Sequence, residues 1–359
     1  MAWDVSRRVF LKGASMAAVG VGMGPSPLMV RAAEAAAPGT GVFVHVFFRG
    51  GFDGLNFCVP YDDPNYLSAR PNIALRRSDG VIPLDSYFGL HPTLGPLEPY
   101  YRDGRFGIIQ AVGNLKLTRS HFDAQDFIEQ GTPGVKTTAD GWLGRAVTQI
   151  PGATVTDQVA FSSQLPRSFF GLEPVLVTQN VSTFDLRAGT GSRSWRPQAN
   201  TALRAMYQGD TEAGRVGRET FTALDTLQRN PAVLAAPAAG ANYVLTGNGN
   251  NLGSSLRQAA ALIKANIGVR TIFINVGGAF DTHANELAGH DLEFPRIAQS
   301  LAAFAVDLGA RFDDVVVLGL TEFGRTFTEN GSRGTDHGAG STAFYMGGRV
   351  RGGLSLIHI

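Results

Sequence analysis

Acidic residues and histidines directly follow the predicted strands of this sequence. In α/β proteins, the loops after the strands carry the ligand-binding residues. Six of them are candidate metal ligands: Asp53, Asp281, His283, Glu322, Asp336 and His337. Carboxylate oxygens combined with imidazole nitrogens suit Zn²⁺, Mn²⁺ or Fe²⁺, whereas the oxygen ligands by themselves would suit Mg²⁺ or Ca²⁺. The sequence therefore predicts a divalent metal site and leaves the identity of the metal open.

Each of these motifs also has a purely structural interpretation. An aspartate after a strand, such as Asp53, is commonly a turn residue or a helix N-cap. Asp281 and His283 could hydrogen-bond to each other without a metal, and Arg325 could form a salt bridge with Glu322. However, the chain has only seven histidines, and three of them lie within or just after these motifs. That concentration favours one shared site.

A serine and a histidine begin a predicted helix after the second strand. Ser120 suits the N-cap, where free backbone N–H groups and the helix dipole attract an anion. A hydroxyl near a metal ion could also attack a phosphorus or sulfur ester, and the sequence leaves both roles open. Ser120, His121 and Arg325 are the candidate catalytic residues, with His121 or Arg325 holding the anionic group of the substrate.

Four continuous apolar runs are the predicted strands that position these residues: Val42–Phe48, Phe106–Val112, 269–276 and 315–320. Apolar runs without alternation are typical of strands that are covered on both faces in a parallel sheet. Helical periodicity at 252–265 and 291–310 separates the later strands. The alternation of strands and helices predicts a doubly wound α/β sandwich, and the segment at about 151–249 is interpreted as an insertion or cap over the sheet.

The first 36 residues have the pattern of a twin-arginine signal peptide. Arg7 and Arg8 precede a Gly-rich apolar stretch, which ends in a run of small residues suited to cleavage. Pro25 and Pro27 interrupt this stretch, and it is shorter than the roughly 20 apolar residues of a spanning helix. We expect the twin-arginine translocase to export the folded protein to the periplasm or the cell surface, with no membrane span after cleavage.

Composition narrows the range of functions. The formal net charge of +1 gives no electrostatic reason to expect nucleic acid as a partner. Cys58 is the single cysteine, so no intramolecular disulfide can form and burial of the core must hold the fold. Residues 37–353 are long enough for one large domain. Residues 354–359 are expected to be a non-native tail on a domain that is truncated at its C-terminal end.

Eight short motifs distributed over residues 41–353 carry a family resemblance. They are RGGFDGLN at 49–56, the segment from Tyr66 to Arg70-Pro71, GLHP at 89–92, RSHFD at 119–123, GWLGR at 141–145, FDTH at 280–283, EFGRT at 322–326 and GTDHG at 334–338. Together they resemble a bacterial family of unknown function that is exported by the twin-arginine pathway and grouped with the alkaline phosphatase and sulfatase superfamily.

The resemblance implies an alkaline-phosphatase-like three-layer sandwich with a mostly parallel central sheet and two metal ions. It makes Asp53 similar to the metal-binding acid after the first strand, and Ser120 similar to a nucleophile at a helix start. Asp281 and His283 resemble the aspartate and histidine of one metal site, and His337 resembles a metal-binding histidine late in the chain.

One position departs from the superfamily pattern. Glu322 stands where the superfamily usually has an Asp-His pair, and Phe323 replaces the expected histidine. Arg325 could supply positive charge instead, so a single metal ion with a substrate clamp fits this pattern as well as two metal ions do.

These observations predict an exported metal-dependent hydrolase of phosphate or sulfate esters, with an anionic ester as substrate. The alternative is a non-catalytic binding or assembly protein at the cell surface, which would use the same scaffold to bind an exported partner protein. The missing histidine at Phe323 supports this alternative, and similarity of fold cannot choose between the two.

Overall fold

The computed structural model describes residues 41–353, apart from residues 115, 149–153, 172–173, 186–195 and 246–251. The predicted signal peptide and the predicted tail at 354–359 lie outside the described residues. Within the described part of the chain, every helix is too short or too polar to span a lipid bilayer.

The described residues contain ten strands: β1 (Val42–Phe48), β2 (Cys58–Val59), β3 (Ile82–Pro83), β4 (Gly89–Leu90), β5 (Phe106–Val112), β6 (Gln158–Phe161), β7 (Leu176–Thr178), β8 (Thr271–Val276), β9 (Val315–Thr321) and β10 (Ser341–Gly347). Seven of them form the central sheet in the order β5-β10-β9-β1-β8-β6-β7, and β2, β4 and β3 form a small antiparallel sheet. In the central sheet only β10 runs antiparallel to its neighbours. The mostly parallel sheet confirms the predicted fold class.

Both faces of β1 are buried, which explains its uninterrupted apolar sequence. Val44 and Val46 pack into the larger hydrophobic core, whereas Phe43 and Phe47 contact a second core on the opposite face. His45 also lies on this second face, where it is fully buried among aromatic rings. Burial lowers the pKa of His45 to about 4, so the ring is neutral at physiological pH.

Helices lie on both faces of the central sheet, which gives three layers. The described residues contain the helices α1 (Gly54–Phe57), α2 (Pro64–Ala69), α3 (Glu98–Arg102), α4 (His121–Gln130), α5 (Trp142–Val147), α6 (Arg196–Met206), α7 (Glu212–Arg229), α8 (Leu252–Lys264) and α9 (Glu286–Leu308). Buried residues of α8 and α9 belong to the larger core, and those of α5 belong to the second core.

The segment interpreted as an insertion contributes two strands to the central sheet. β6 pairs with β8 and β7 pairs with β6, all in parallel, so the sheet continues through this segment. The buried pattern of β6 has the same cause as that of β1, because both strands are covered on both faces. The helices α6 and α7 follow β7 along the chain.

Candidate metal centre

The strand order brings distant parts of the chain to one edge of the sheet. β9, β1 and β8 are adjacent and parallel, so the loops that follow them begin at the same edge. Glu322 directly follows β9, and Asp281 and His283 lie in the loop between β8 and α9. His121 is the first residue of α4, and His337 lies in the loop between β9 and β10.

Three imidazole nitrogens and one carboxylate converge at this edge. The Nε2 atom of His337 lies 3.1 Å from Nε2 of His121 and 3.0 Å from Nε2 of His283. Asp281 Oδ1 lies 3.0 Å from Nε2 of His337 and 3.1 Å from Nε2 of His283, and Asp281 Oδ2 lies 3.4 Å from Nε2 of His121. Ligand atoms in a tetrahedral zinc site lie about 3.3 Å apart, given Zn–N distances of about 2.0–2.1 Å. The spacing therefore fits a bound metal ion.

The other nitrogen of each imidazole faces an oxygen acceptor. The Nδ1 contacts are His121 to Glu322 Oε1 at 2.7 Å, His283 to Asp336 Oδ1 at 3.0 Å, and His337 to the backbone carbonyl of Arg119 at 2.7 Å. Because a carbonyl or a carboxylate can only accept, we assign the proton of each neutral ring to Nδ1, which leaves the Nε2 lone pair free. Histidines that bind metals in proteins are held in this way.

Glu322 is the most enclosed of these acceptors. It is fully buried, and its Oε1 atom also accepts hydrogen bonds of 2.9 Å from Gln125 Nε2 and from the backbone N–H of Gly50. Burial opposes ionisation, but the hydrogen bonds from His121 and Gln125 lower the pKa of Glu322 below its ordinary value. The same bond to Glu322 raises the pKa of His121. Through its bonds to His121 and Gln125, Glu322 thus holds the start of α4 in place.

Arg325 holds Asp281 from inside the protein. Its buried guanidinium donates from Nη1 to Asp281 Oδ1 at 2.7 Å and from Nε to Thr335 Oγ1 at 3.1 Å, and a further nitrogen donates to the Thr335 carbonyl. Burial works against ionisation of Asp281, but the hydrogen bond from Arg325 and the positive charge of that guanidinium lower the pKa of Asp281 to about 2. Because Arg325 is enclosed, it orients Asp281 and does not face the solvent as a substrate clamp would.

Ser120 occupies the N-cap of α4. Its Oγ atom accepts a hydrogen bond from the backbone N–H of Asp123 at 3.3 Å, which is the capping interaction expected of a serine at this position. The hydroxyl lies next in sequence to His121, so it begins the same helix turn that carries a candidate ligand. The hydrogen bond of the Ser120 hydroxyl is therefore that of a helix N-cap.

Asp53 lies outside the group of converging ligands. Arg70 donates to Oδ2 of Asp53 at 2.5 Å and to Oδ1 at 3.1 Å, and both side chains are buried. Asp53 also caps α1, because Oδ2 accepts from the backbone N–H of Asn56 at 3.1 Å. The carboxylate that the resemblance made a metal ligand is therefore engaged in an internal ion pair and a helix cap.

The candidate centre is open to solvent on one side. Asp336 is 59% exposed and His283 is 46% exposed, whereas Glu322 is buried. Among the residues that the structure describes, His121, Asp281 and His337 form a group with one potential ligand atom each, and these atoms all lie within 4.8 Å of one another. His283 adjoins this group on its open side, so a small anion could approach from there.

Sequence reasoning missed several side chains that shape the site. Gln125 is four residues after His121, and this helical spacing was the available signal that both would contact one partner. Asn330 binds the His283 carbonyl through Nδ2 at 3.0 Å and accepts from two backbone N–H groups of its own loop. Arg70 lies in one of the motifs that carry the family resemblance but had no predicted role, and Glu286 gave no local signal. The partners of both include residues far away in the sequence.

Two solved structures are similar to the chain. The C-terminal periplasmic domain of EcEptC from Escherichia coli, in a complex with Zn, is 8% identical over 87% of this chain and 74% of that chain, with a TM-score of 0.41. The soluble domain of lipooligosaccharide phosphoethanolamine transferase A from Neisseria meningitidis is 12% identical over 87% of this chain and 78% of that chain, with a TM-score of 0.32. Both TM-scores are too low to indicate an activity.

No curated protein matches the sequence. Residues 114–356 match a family that is described as protein of unknown function (DUF1501). This range contains His121, Asp281, His283 and His337, and it covers about two thirds of the chain. The chain therefore belongs to the DUF1501 family.

Proposed function

We propose that the protein is an exported metal-dependent hydrolase of phosphate or sulfate esters, with one metal site made by His121, Asp281, His283 and His337. The observation that carries the proposal is the convergence of three Nε2 atoms on Asp281 while each Nδ1 atom contacts an acceptor. In this proposal Glu322 and Asp336 orient ligands and are not ligands themselves.

The donor set favours a transition metal. Three imidazole nitrogens with one carboxylate suit Zn²⁺, Mn²⁺ or Fe²⁺ better than Mg²⁺ or Ca²⁺, which prefer oxygen ligands. A bound metal ion supplies positive charge that polarises the ester and lowers the pKa of a nearby water or hydroxyl. The residues of the chain hold this site with one open side, at His283 and Asp336, where the anionic group of the ester would enter.

The proposed reaction is hydrolysis. The oxygen of water forms a bond to phosphorus or sulfur, the bond between that atom and the ester oxygen breaks, and the alcohol leaves with a proton from the water. If Ser120 attacks first, its Oγ atom forms a seryl ester and passes its proton to the leaving alcohol, and water then cleaves that ester. For this attack Ser120 would have to release the backbone N–H of Asp123.

The test combines metal content with activity. The full chain is loaded with Zn²⁺ or Mn²⁺, its metal is measured by elemental mass spectrometry, and hydrolysis of p-nitrophenyl phosphate and p-nitrophenyl sulfate is followed. We expect Asp281→Asn and His283→Ala to lose the metal and to lower hydrolysis by about 100-fold or more. Asp126→Asn is the matched control, because Asp126 is on α4 but pairs with Arg167. Full metal content and full activity in both site variants would refute the assignment.

The second candidate is a non-catalytic binding or assembly protein with an exported partner protein. Two observations favour it: the Arg325 guanidinium is enclosed, and the Ser120 hydroxyl caps α4. Two of the three predicted catalytic side chains thus have structural contacts. Stoichiometric metal without hydrolysis of either ester would support this candidate over the hydrolase.

We also propose that the twin-arginine translocase exports the protein to the periplasm or the cell surface. Arg7 and Arg8 carry this proposal, since the pathway reads a pair of arginines near the N-terminus. Replacing both arginines with lysine keeps the charge, and we expect the protein then to remain in the cytoplasmic fraction of the cell. Unchanged export in this double variant, measured by cell fractionation, would contradict the route.

A further inference from the structure

Two further acidic side chains lie together in the protein interior, beside a buried arginine. Asp53 and Glu286 are both fully buried, and both contact the guanidinium of Arg70, which is buried as well. Asp53 forms the close pair with Arg70, and Glu286 Oε1 lies 3.7 Å from Nη1 of Arg70. The pair of acids thus surrounds one internal positive charge.

Arg70 is fixed in this position by all of its nitrogens. Besides the bonds to Asp53, Nε donates to the Phe327 carbonyl at 2.8 Å and Nη2 donates to the Thr326 carbonyl at 2.8 Å. Nη1 lies 3.5 Å from Asn56 Oδ1. A planar guanidinium with partners on every nitrogen cannot swing aside without leaving buried acceptors unpaired.

The charges of Asp53, Arg70 and Glu286 cancel without a metal ion. Burial alone would raise the pKa of Asp53, but the charge and hydrogen bonds of Arg70 lower it, so Asp53 is ionised. Burial and the charge of Asp53 raise the pKa of Glu286, so Glu286 holds its proton near neutral pH. One carboxylate, one guanidinium and one neutral acid sum to zero. A divalent ion here would have to displace a buried guanidinium and leave it without its partner, which is strongly unfavourable.

We propose that Arg70 takes the place of a second metal ion beside Asp53 and Glu286, so that the chain binds a single metal ion at His121, Asp281, His283 and His337. This inference rests on the metal site of the proposed function and departs from the two metal ions that the superfamily resemblance implies. Asp53 is then a structural residue and Arg70 a permanent internal cation.

The Arg70 group also supports the metal site. Glu286 Oε2 contacts the hydroxyls of Thr282, at 3.2 Å, and of Thr335. Thr282 stands between Asp281 and His283 in the sequence, and Thr335 binds Arg325, which in turn holds Asp281. Glu286 therefore joins the two loops that carry three of the four ligands, because one of its oxygens accepts from both hydroxyls. A glutamine at this position keeps an oxygen that can accept these two hydrogen bonds.

The test is metal stoichiometry with a spectroscopic readout. The full chain is loaded with Mn²⁺, the manganese to protein ratio is measured by elemental mass spectrometry, and the bound ion is examined by electron paramagnetic resonance. We expect about one equivalent and the spectrum of an isolated ion. About two equivalents, or the exchange coupling of two ions about 3.5–4 Å apart, would overturn the inference.

Paired variants test which acids bind the ion. We expect Asp53→Asn and Glu286→Gln to keep about one equivalent of Mn²⁺ with an unchanged spectrum, and Asp281→Asn to lose it. Breaking the buried Asp53–Arg70 pair can prevent folding; Glu286→Gln, which replaces a neutral acid by a neutral amide, then provides the comparison. Loss of manganese from a folded Glu286→Gln protein would contradict the inference.

These measurements separate the two proposals. An inactive protein with one isolated ion would refute the hydrolase and keep the single-ion site. An active protein with two coupled ions would refute the single-ion site and keep the hydrolase. A protein that binds no manganese, zinc or iron would refute both.

Discussion

At the scale of single residues, the three candidate histidine ligands differ in what holds them. His121 is held by the buried Glu322, His283 by the exposed Asp336, and His337 by a backbone carbonyl. A buried carboxylate interacts more strongly with an imidazole than an exposed one does, because solvent screens the exposed pair. The contribution to metal affinity should therefore be larger for Glu322 than for Asp336.

We expect Glu322→Gln to weaken metal binding by about 10- to 100-fold, because an acceptor that orients a ligand and increases its basicity loses its charge. Asp336→Asn, at an exposed position, is the matched comparison and should have a smaller effect. Competition between the protein and a chelator of known affinity measures both. An equal or greater loss in Asp336→Asn would contradict this ranking.

Glu286 gives a pH dependence of stability that can be tested. Burial and the nearby Asp53 raise the pKa of Glu286 from 4.5 to about 8. The folded protein therefore binds this proton more tightly than the unfolded chain does, so the contribution is fully present below about pH 4.5 and is lost as the pH rises through about 8.

We expect the free energy of unfolding of the native protein to fall by about 4 kcal/mol between pH 5 and 9 relative to Glu286→Gln, which has no proton to lose. Urea denaturation of both proteins at matched pH measures the difference, and other titrating groups cancel in the comparison. Parallel pH profiles for the two proteins would show that Glu286 does not titrate in this range.

At the scale of elements, α4 links the sheet to the candidate metal site. Ser120 caps its first turn, and Arg49, which follows β1, binds Gln125 at 2.7 Å and Glu129 at 2.7 Å. Gly131 ends the helix in the left-handed conformation with a φ of 68°. The position of His121 thus depends on contacts at both ends of a short helix.

Two substitutions of Ser120 separate capping from catalysis. Ser120→Ala removes the cap and the hydroxyl, and we expect it to lower the free energy of unfolding by about 1 kcal/mol. Ser120→Asn keeps a good cap, so we expect near-native stability. If Ser120 is the nucleophile, both variants lose hydrolysis; if water attacks directly, Ser120→Asn keeps it. Urea denaturation and ester hydrolysis measure the two effects. Native activity in Ser120→Asn would show that Ser120 is a cap alone.

At the scale of the whole molecule, three hydrophobic clusters in the described residues hold the fold, and no disulfide contributes, because the single cysteine, Cys58, is free and buried. The candidate ligands come from the segments that follow β5, β8 and β9, which are far apart in the sequence. A metal ion at this edge would join them, and a ligand that binds only the folded state stabilises it.

We therefore expect removal of the metal with a chelator to lower the melting temperature. Metal at about 100 times its dissociation constant contributes about 2.7 kcal/mol. Differential scanning calorimetry of the loaded and chelated protein measures the shift, and His283→Ala should show little shift under the same treatment. A thiol reductant should leave the melting temperature unchanged. Equal melting temperatures with and without chelator would contradict a metal site that spans these loops.

The sequence by itself determined the strands and the chemistry of their loops. Uninterrupted apolar runs such as Val42–Phe48 predict strands that are buried on both faces, and their alternation with helices predicts the mostly parallel sheet. This inference works because burial imposes a local pattern on the sequence. The same reading found candidate ligands in Asp281, His283 and His337, which the structure brings together.

Only the tertiary structure decided which of the candidates meet. The antiparallel strand β10 and the place of β6 and β7 in the sheet depend on pairing between distant segments. Asp53 and His121 both follow strands, yet Asp53 faces Arg70 and His121 faces the converging ligands. The loop sequences do not encode this difference, because it depends on the order of the strands in the sheet and on the buried ion pair between Asp53 and Arg70.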